Sequence, residues 1–215
     1  MQFYETIRTR AEGEGKCQRQ RHGRSEYAHV KLLLEPLERG RGLEFSERVV
    51  ENGAIPARFL GYIESAVLEA LRTGPSHGFE VVDVRITVID GSYHEVDSTA
   101  QAFQEAAAAA FSDAVVMADW TILEPILAFE VVVPEEWAGH TVGQVNSRRG
   151  ALESMDLRQG KFSLQGRMPQ AELPAFVSEL VEVTGGRAIC PKQRFSHYDE
   201  RPDLPEPPPA WAEIT

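Results

Sequence analysis

Apolar and polar positions alternate in short stretches along much of this chain, and between those stretches the period lengthens to that of a helix. Phe3 to Thr9 alternates weakly and predicts a strand. Val30, Leu32 and Leu34 alternate with Lys31, Leu33 and Glu35, a strand with at least one buried face, and Phe45 to Val50 predicts another short one. Pro56 suits a first helical position, and Phe59, Ile63, Ala66, Val67, Ala70 and Leu71 follow at helical spacing until Gly74-Pro75 stops the run. Val82, Val84, Ile86 and Val88 alternate with Asp83, Arg85 and Thr87, a half-buried strand. Asp90-Gly91 reads as the sharp turn ending it, and Ser98 with Gln101 reads as a capping box opening a second helix through Phe103, Ala107, Ala110, Phe111 and Ala114.

A second module begins at Trp120. Ile126, Ala128, Glu130 and Val132 alternate with Leu127, Phe129, Val131 and Val133 up to Pro134, and Glu135 to Arg149 predicts a helix ended by Gly150. Leu152 to Leu157 and Phe162 to Met168 predict two strands joined at Gln159-Gly160; Leu173 to Val183 predicts a helix with Pro174 in its first turn, and Ala188 to Tyr198 a last strand. The order β-α-β-β-α-β is that of a ferredoxin-like sandwich. The chain therefore reads as α+β in two domains, 1–119 and 120–201, followed by a proline-rich tail over 202–215 that should be extended and poorly ordered.

Composition narrows the function. At 215 residues and a net charge of -11, the protein has room for two cores and is too acidic to coat nucleic acid with its whole surface. The charge is uneven. From Lys16 to Lys31 the cations Lys16, Arg19, Arg21, Arg24 and Lys31 face only Glu26, with Gln18, Gln20, His22 and Tyr27 interleaved. A charge run alone is usually a solvated loop, but guanidinium forks beside imidazole and phenol suit phosphates and exposed bases. The segment is a long loop or hairpin feeding a strand. Cys17 and Cys190 are far apart with no metal-ligand spacing, no apolar run is long enough to span a bilayer, and no secretory signal opens the chain, which together predict a reduced, cytoplasmic protein.

Chemistry concentrates at Ser92 to Asp97, where Tyr93, His94, Glu95 and Asp97 crowd a predicted apex. Loop tips collect polar residues by default. A hydrolase reading would take Ser92 or Ser98 as nucleophile, His94 as base and Asp97 as orienter, but residues so close on one tight turn do not line up as a relay. A metal held by His94, Glu95 and Asp97 would lack framing ligands. No GxxxxGK[ST] phosphate loop occurs; Gly13 to Lys16 lacks both the following hydroxyl and the preceding apolar strand. Arg148 and Arg149 end a predicted helix, where cations also simply favour the dipole.

Read together, the blocks KCQRQRHGRSEYAHVK (Lys16 to Lys31), Glu35-Pro36, DGSYHEVDS (Asp90 to Ser98), Leu123-Glu124-Pro125, NSRRG (Asn146 to Gly150), Thr184 to Arg187 and His197-Tyr198 occur in the order and spacing of the last two domains of bacterial translation elongation factor G. The resemblance runs from about Phe3 to Pro202. It implies a fourth domain with a ribosomal-protein-like fold and a left-handed βαβ crossover, followed by a ferredoxin-like fifth domain. It implies an arm whose tip enters the decoding centre of the small ribosomal subunit and promotes tRNA–mRNA translocation, with ribosomal RNA, tRNA and mRNA as partners. Its tip loops match Gln20 to Tyr27 and Ser92 to Ser98, with the family's tip histidine at His94; together with the charge pattern this makes Arg19, Gln20, Arg21, His22, Arg24, Tyr27, Ser92, Tyr93, His94 and Asp97 the candidate RNA-contacting residues. Arg148 and Arg149 fall on a fifth-domain surface expected to meet the ribosome near the stalk base. GTP and Mg would belong to a portion of the parent outside this sequence, so the chain itself is expected to be neither an enzyme nor a cofactor binder, and to act as a monomer away from membranes. His22, Ser25, Glu26 and Ala28 depart from the Gly, Gly, Gln and Gly common in the family, which suggests a divergent paralogue, and Ala188 to Arg194 departs from its aromatic-rich ending. A recycling or ribosome-protection factor of the same superfamily, a stand-alone RNA-binding or ribosome-binding module, and a protein-interaction module using the second sheet remain alternatives.

Overall fold

A computed structural model describes residues 2–21, 23–49 and 53–201, with the backbone alone at Arg21 and Arg24. The expectations for His22 and for the tail over 202–215 lie outside the described residues. The chain forms two compact units, one over Tyr4–Ile122 and one over Leu123–Arg201 that also takes in Phe3.

The first unit contains β1 (Tyr4–Ile7), β2 (Ala11–Arg21), β3 (Arg24–Pro36), β4 (Leu43–Glu47), α1 (Leu60–Thr73), β5 (Val84–Ser92) and α2 (Ala100–Met117). Four strands form one sheet in the order β2-β3-β5-β4. The β2/β3 and β3/β5 pairs are antiparallel, whereas β4 and β5 run parallel and are linked through α1. Val30, Leu32, Leu34, Ile86 and Val88 bury one sheet face against Ile63, Val67, Phe103 and Phe111 of the helices, and Phe59 stacks on Phe103 with ring centroids 4.5 Å apart.

Several local expectations change. The basic segment and the small, acidic stretch before it are one long hairpin, paired without interruption from Ala11 opposite Leu34 to Arg21 opposite Arg24. Alternation failed to announce β2 because two of its buried positions carry no side chain. A Cβ on Gly13 would lie 2.1 Å from the Ala110 carbonyl oxygen and one on Gly15 2.0 Å from that of Ala106, so α2 rests on bare backbone there. Asp90-Gly91 is not a turn. Both belong to β5, opposite Lys31 and Val30, and Gly91 is needed because a Cβ would meet the His29 carbonyl oxygen and Ile55 at 2.5 Å. The chain turns later, over 95–97. Thr99, not Ser98, caps α2, its hydroxyl accepting from the Ala102 N–H at 3.1 Å. Asp83, an outward position by alternation, is buried at 3% exposure with φ 59°, and its carboxylate accepts from the Gly42 N–H at 2.9 Å.

The second unit holds most of β6 (Trp120–Pro134), then α3 (Ala138–Ser147), β7 (Ala151–Arg158), β8 (Lys161–Pro169), α4 (Leu173–Val183) and β9 (Ile189–Glu200). Its strands lie antiparallel in the order β9-β6-β8-β7. Phe129, Val131 and Val133 of β6 pack with Leu164, Met168, Phe176 and Leu180, so the alternation seen in the sequence does set the buried face. The expected helix over 135–149 divides into a 3-10 turn at Glu135–Trp137 and α3, with Arg148 as C-cap and Arg149 left-handed at φ 57°. Gln159 and Gly160, both at positive φ, make the two-residue hairpin turn. The whole is α+β in two domains, the second with βαββαβ order.

Candidate nucleic-acid interface

The far end of the first unit is built by two loops that share a backbone. Tyr27 on β3 is the joint. Its N–H donates to the Asp97 carbonyl at 3.0 Å, its carbonyl accepts from the Ser98 hydroxyl at 2.7 Å, and its phenol oxygen lies 2.8 Å from the Ser92 hydroxyl. Ser98 also closes the apex on itself, accepting from the His94 N–H at 2.9 Å and donating its own N–H to the His94 carbonyl at 3.0 Å. The apex is thus bolted to the hairpin before any partner arrives. A strand ending at Ser92 and a helix starting at Ala100 provide rigid supports on either side.

Within this frame the sequence-predicted residues separate. Arg19, Gln20, Tyr27, Tyr93, His94 and Asp97 line one open hollow of about 580 Å³ together with Gln18, Ser25 and Glu26. His94 is 59% exposed, its Nδ1 3.1 Å from an Asp97 carboxylate oxygen, and Tyr93 is 40% exposed. These two side chains are presented outward. Ser92 is turned to Tyr27 and to His29, whose Nδ1 lies 3.3 Å from it. Neither serine hydroxyl is hydrogen-bonded to the His94 ring: Ser98 is committed to the Tyr27 carbonyl and Ser92 to Tyr27 and His29, so the nucleophile and base of a hydrolase are not joined. Arg19 lies in the hollow's wall, its guanidinium shared between Glu26 at 2.6 Å and Glu105 at 2.7 Å.

Beneath the hollow, on the sheet face away from the helices, lies a charged ladder absent from the sequence-based set. Glu14 meets Lys16 at 2.8 Å, the His29 Nε2 at 2.9 Å and Lys31 at 3.6 Å. The Lys16 hydrogen bond, reinforced by the charges of Lys16, Lys31 and His29, pulls the Glu14 carboxyl from its ordinary 4.5 down to about 2. Two of the basic segment's cations, Lys16 and Lys31, are therefore engaged with this acid. The signal for it was the position of Glu14 opposite Lys31, legible only once the hairpin register is known.

Arg148 and Arg149 belong to the second unit. Arg148, 18% exposed, donates to Gln144 and Glu179. Arg149 forks onto both oxygens of Glu124, which is 3% exposed, with Glu172 4.0 Å away. Glu124 of the Leu123-Glu124-Pro125 block and Arg149 of the NSRRG block thus meet in space. As for GTP, the sequence's nearest approach to a phosphate loop, Gly13 to Lys16, runs inside a strand with its glycines under α2, so these residues do not fit a nucleotide phosphate.

Comparison with known proteins agrees with the two-unit α+β fold. The profile described as elongation factor G, domain IV matches residues 1–119, and that described as elongation factor G C-terminus matches residues 121–206. Elongation factor G of Aquifex pyrophilus is 44% identical over 200 residues, covering 93% of this chain and 28% of its own length. A crystal structure of a Thermus thermophilus protein superposes with a TM-score of 0.74 at 36% identity, over 93% of this chain and 30% of that one. The chain thus spans under a third of the length of these relatives. Two α+β units in this order define the C-terminal part of a translation factor. The chain belongs to the elongation factor G family.

Proposed function

We propose that this chain is the ribosome-engaging C-terminal part of a translational GTPase, and that its hairpin and apex enter the decoding centre of the small subunit to promote movement of tRNA and mRNA. What supports the reading is the apex itself: an exposed imidazole and phenol, His94 and Tyr93, held at the end of a hairpin by hydrogen bonds through Tyr27 and Ser98. A group meant to contact RNA strands needs exposure at the contact and stiffness behind it. Gln20, Arg21, His22 and Arg24 would meet RNA phosphates around the hairpin end. In this reading GTP and Mg are bound by another portion of the parent, which works as a monomer in the cytoplasm.

The test is His94→Ala in a full-length factor carrying these domains. Single-round translocation should slow by at least about tenfold, the scale of a lost contact at a reacting centre, while ribosome-stimulated GTP hydrolysis stays within about twofold. Equal translocation rates for the two proteins would overturn the proposal. Intact translocation with lost ribosome splitting would replace it by a recycling role.

A further inference from the structure

Arg19 stands in the middle of the basic segment, where a phosphate contact is the obvious expectation, yet all three of its guanidinium nitrogens contact carboxylates of the protein itself. Its Nε donates to Glu26 directly across the hairpin at 2.6 Å. Its two Nη groups fork onto both carboxylate oxygens of Glu105 on α2, each at 2.7 Å. Glu105 is held in turn by Gln101 at 3.3 Å and approached by the Cys17 thiol at 3.7 Å. Glu26 is 14% exposed. Two carboxylates hold the Arg19 guanidinium more firmly protonated than usual, Glu26 first and Glu105 second. A phosphate taking the donors that face Glu26 and Glu105 would have to displace this planar, bidentate arrangement, which is among the strongest that side chains make.

We propose that Arg19 and Glu105 are a positioning pair that sets the hairpin end against the His94 apex, and that Arg19 is not a phosphate ligand. The inference rests on the decoding-centre reading above for its consequence, though not for its geometry. Beyond Arg19 and Glu26 the two strands continue only through Gln20 and Arg21 on one side and Arg24 and Ser25 on the other, a short lever. Tyr27 ties the same hairpin to Asp97 and Ser98, and the Arg19–Glu105 fork ties it to α2. Held at both points, the two tip loops present one surface.

The experiment compares Arg19→Gln, the near-isosteric Glu105→Gln, the double variant and Arg19→Lys in the full-length factor. Each single Gln variant should lower the maximal translocation rate about tenfold, the scale of a misplacement below an ångström, with the half-saturating factor concentration unchanged. The double variant should be no worse than either single one, since both break one interaction. Arg19→Lys, which keeps the charge and loses the fork, should not restore the rate. The salt dependence of ribosome binding should keep its slope in all four. A slope reduced by about 0.7 to 0.9 for Arg19→Gln, with Glu105→Gln harmless, would make Arg19 a phosphate contact and overturn the pairing. Amide exchange of the 215-residue chain separates this from failure of the functional reading. Exchange along Gln20 to Glu26 should rise equally in both single variants and no further in the double, whether or not the factor translocates, and unchanged exchange would also overturn the pairing.

Discussion

His94 and Arg149 hold comparable places in their own units, each just past the end of a regular element, and each falls in a motif that singles it out. Their surroundings are opposite. The carboxylate beside His94 belongs to Asp97, three residues on in the same exposed turn, so the imidazole stays 59% open to solvent. The carboxylate beside Arg149 belongs to Glu124 on β6, 25 residues earlier in the chain, and it is buried. At the tip, backbone groups are held by one another and by the Ser98 hydroxyl, which leaves the His94 and Tyr93 side chains turned outward. In the second unit side chains do the holding: Arg148 and Arg149 pair with Glu179 and Glu124 of the same unit. The lesson concerns Arg19 as well, whose two acids keep it from counting as a free cation. A positive residue in a sequence is not yet positive charge at a surface.

That contrast can be broken at either end. Arg149→Met should have the largest effect, destabilising the second unit by about 3–5 kcal/mol because it strands the buried Glu124 carboxylate. Chemical denaturation followed by Trp137 reads it, and Arg148→Met, whose Glu179 partner is 35% exposed, should cost no more than about 1 kcal/mol. A cost for Arg149→Met below that of Arg148→Met would mean that the inward fork does not matter. Ser98→Ala should cost about 1–2 kcal/mol by unpairing the His94 N–H and the Tyr27 carbonyl, and should speed amide exchange over 94–98. Unchanged exchange there would show that the tip is not pre-set by these bonds. The smallest effect is a pH dependence. Because the folded Glu14 carboxyl titrates near 2 rather than at its ordinary 4.5, its ion pairs contribute fully above pH 4.5, and that contribution fades as pH falls from there towards 2. The stability gap between wild type and Glu14→Gln should therefore close over that window, and a gap independent of pH would refute the ladder.

How much of this was readable in advance depended on where each residue's neighbours lie along the chain. The β5 and β6 strands, α1, α4 and the Gln159-Gly160 turn follow from apolar period and local turn chemistry, which are short-range properties. The apex was locatable because Tyr93, His94 and Asp97 are adjacent in sequence, and the motif blocks carried the family. Gly13, Gly15 and Gly91 misled local reading, since each is glycine for the approach of a distant backbone or side chain rather than for a turn. Ser98 reads locally as a helix cap, whereas the partner its hydroxyl finds, the Tyr27 carbonyl, is 71 residues away.

By itself, then, the sequence determined the two-module order, the buried faces of β3, β5 and β6, the family and the place where chemistry gathers, because periodicity and contiguous motifs are written within a few residues of one another. Only the tertiary structure decided which charged and hydroxyl groups are free. Whether Arg19, Arg149 or Ser98 faces a partner or the protein depends on Glu105, Glu124 and Tyr27, and electrostatic and hydrogen-bond pairing acts over a few ångströms of space whatever the separation along the chain.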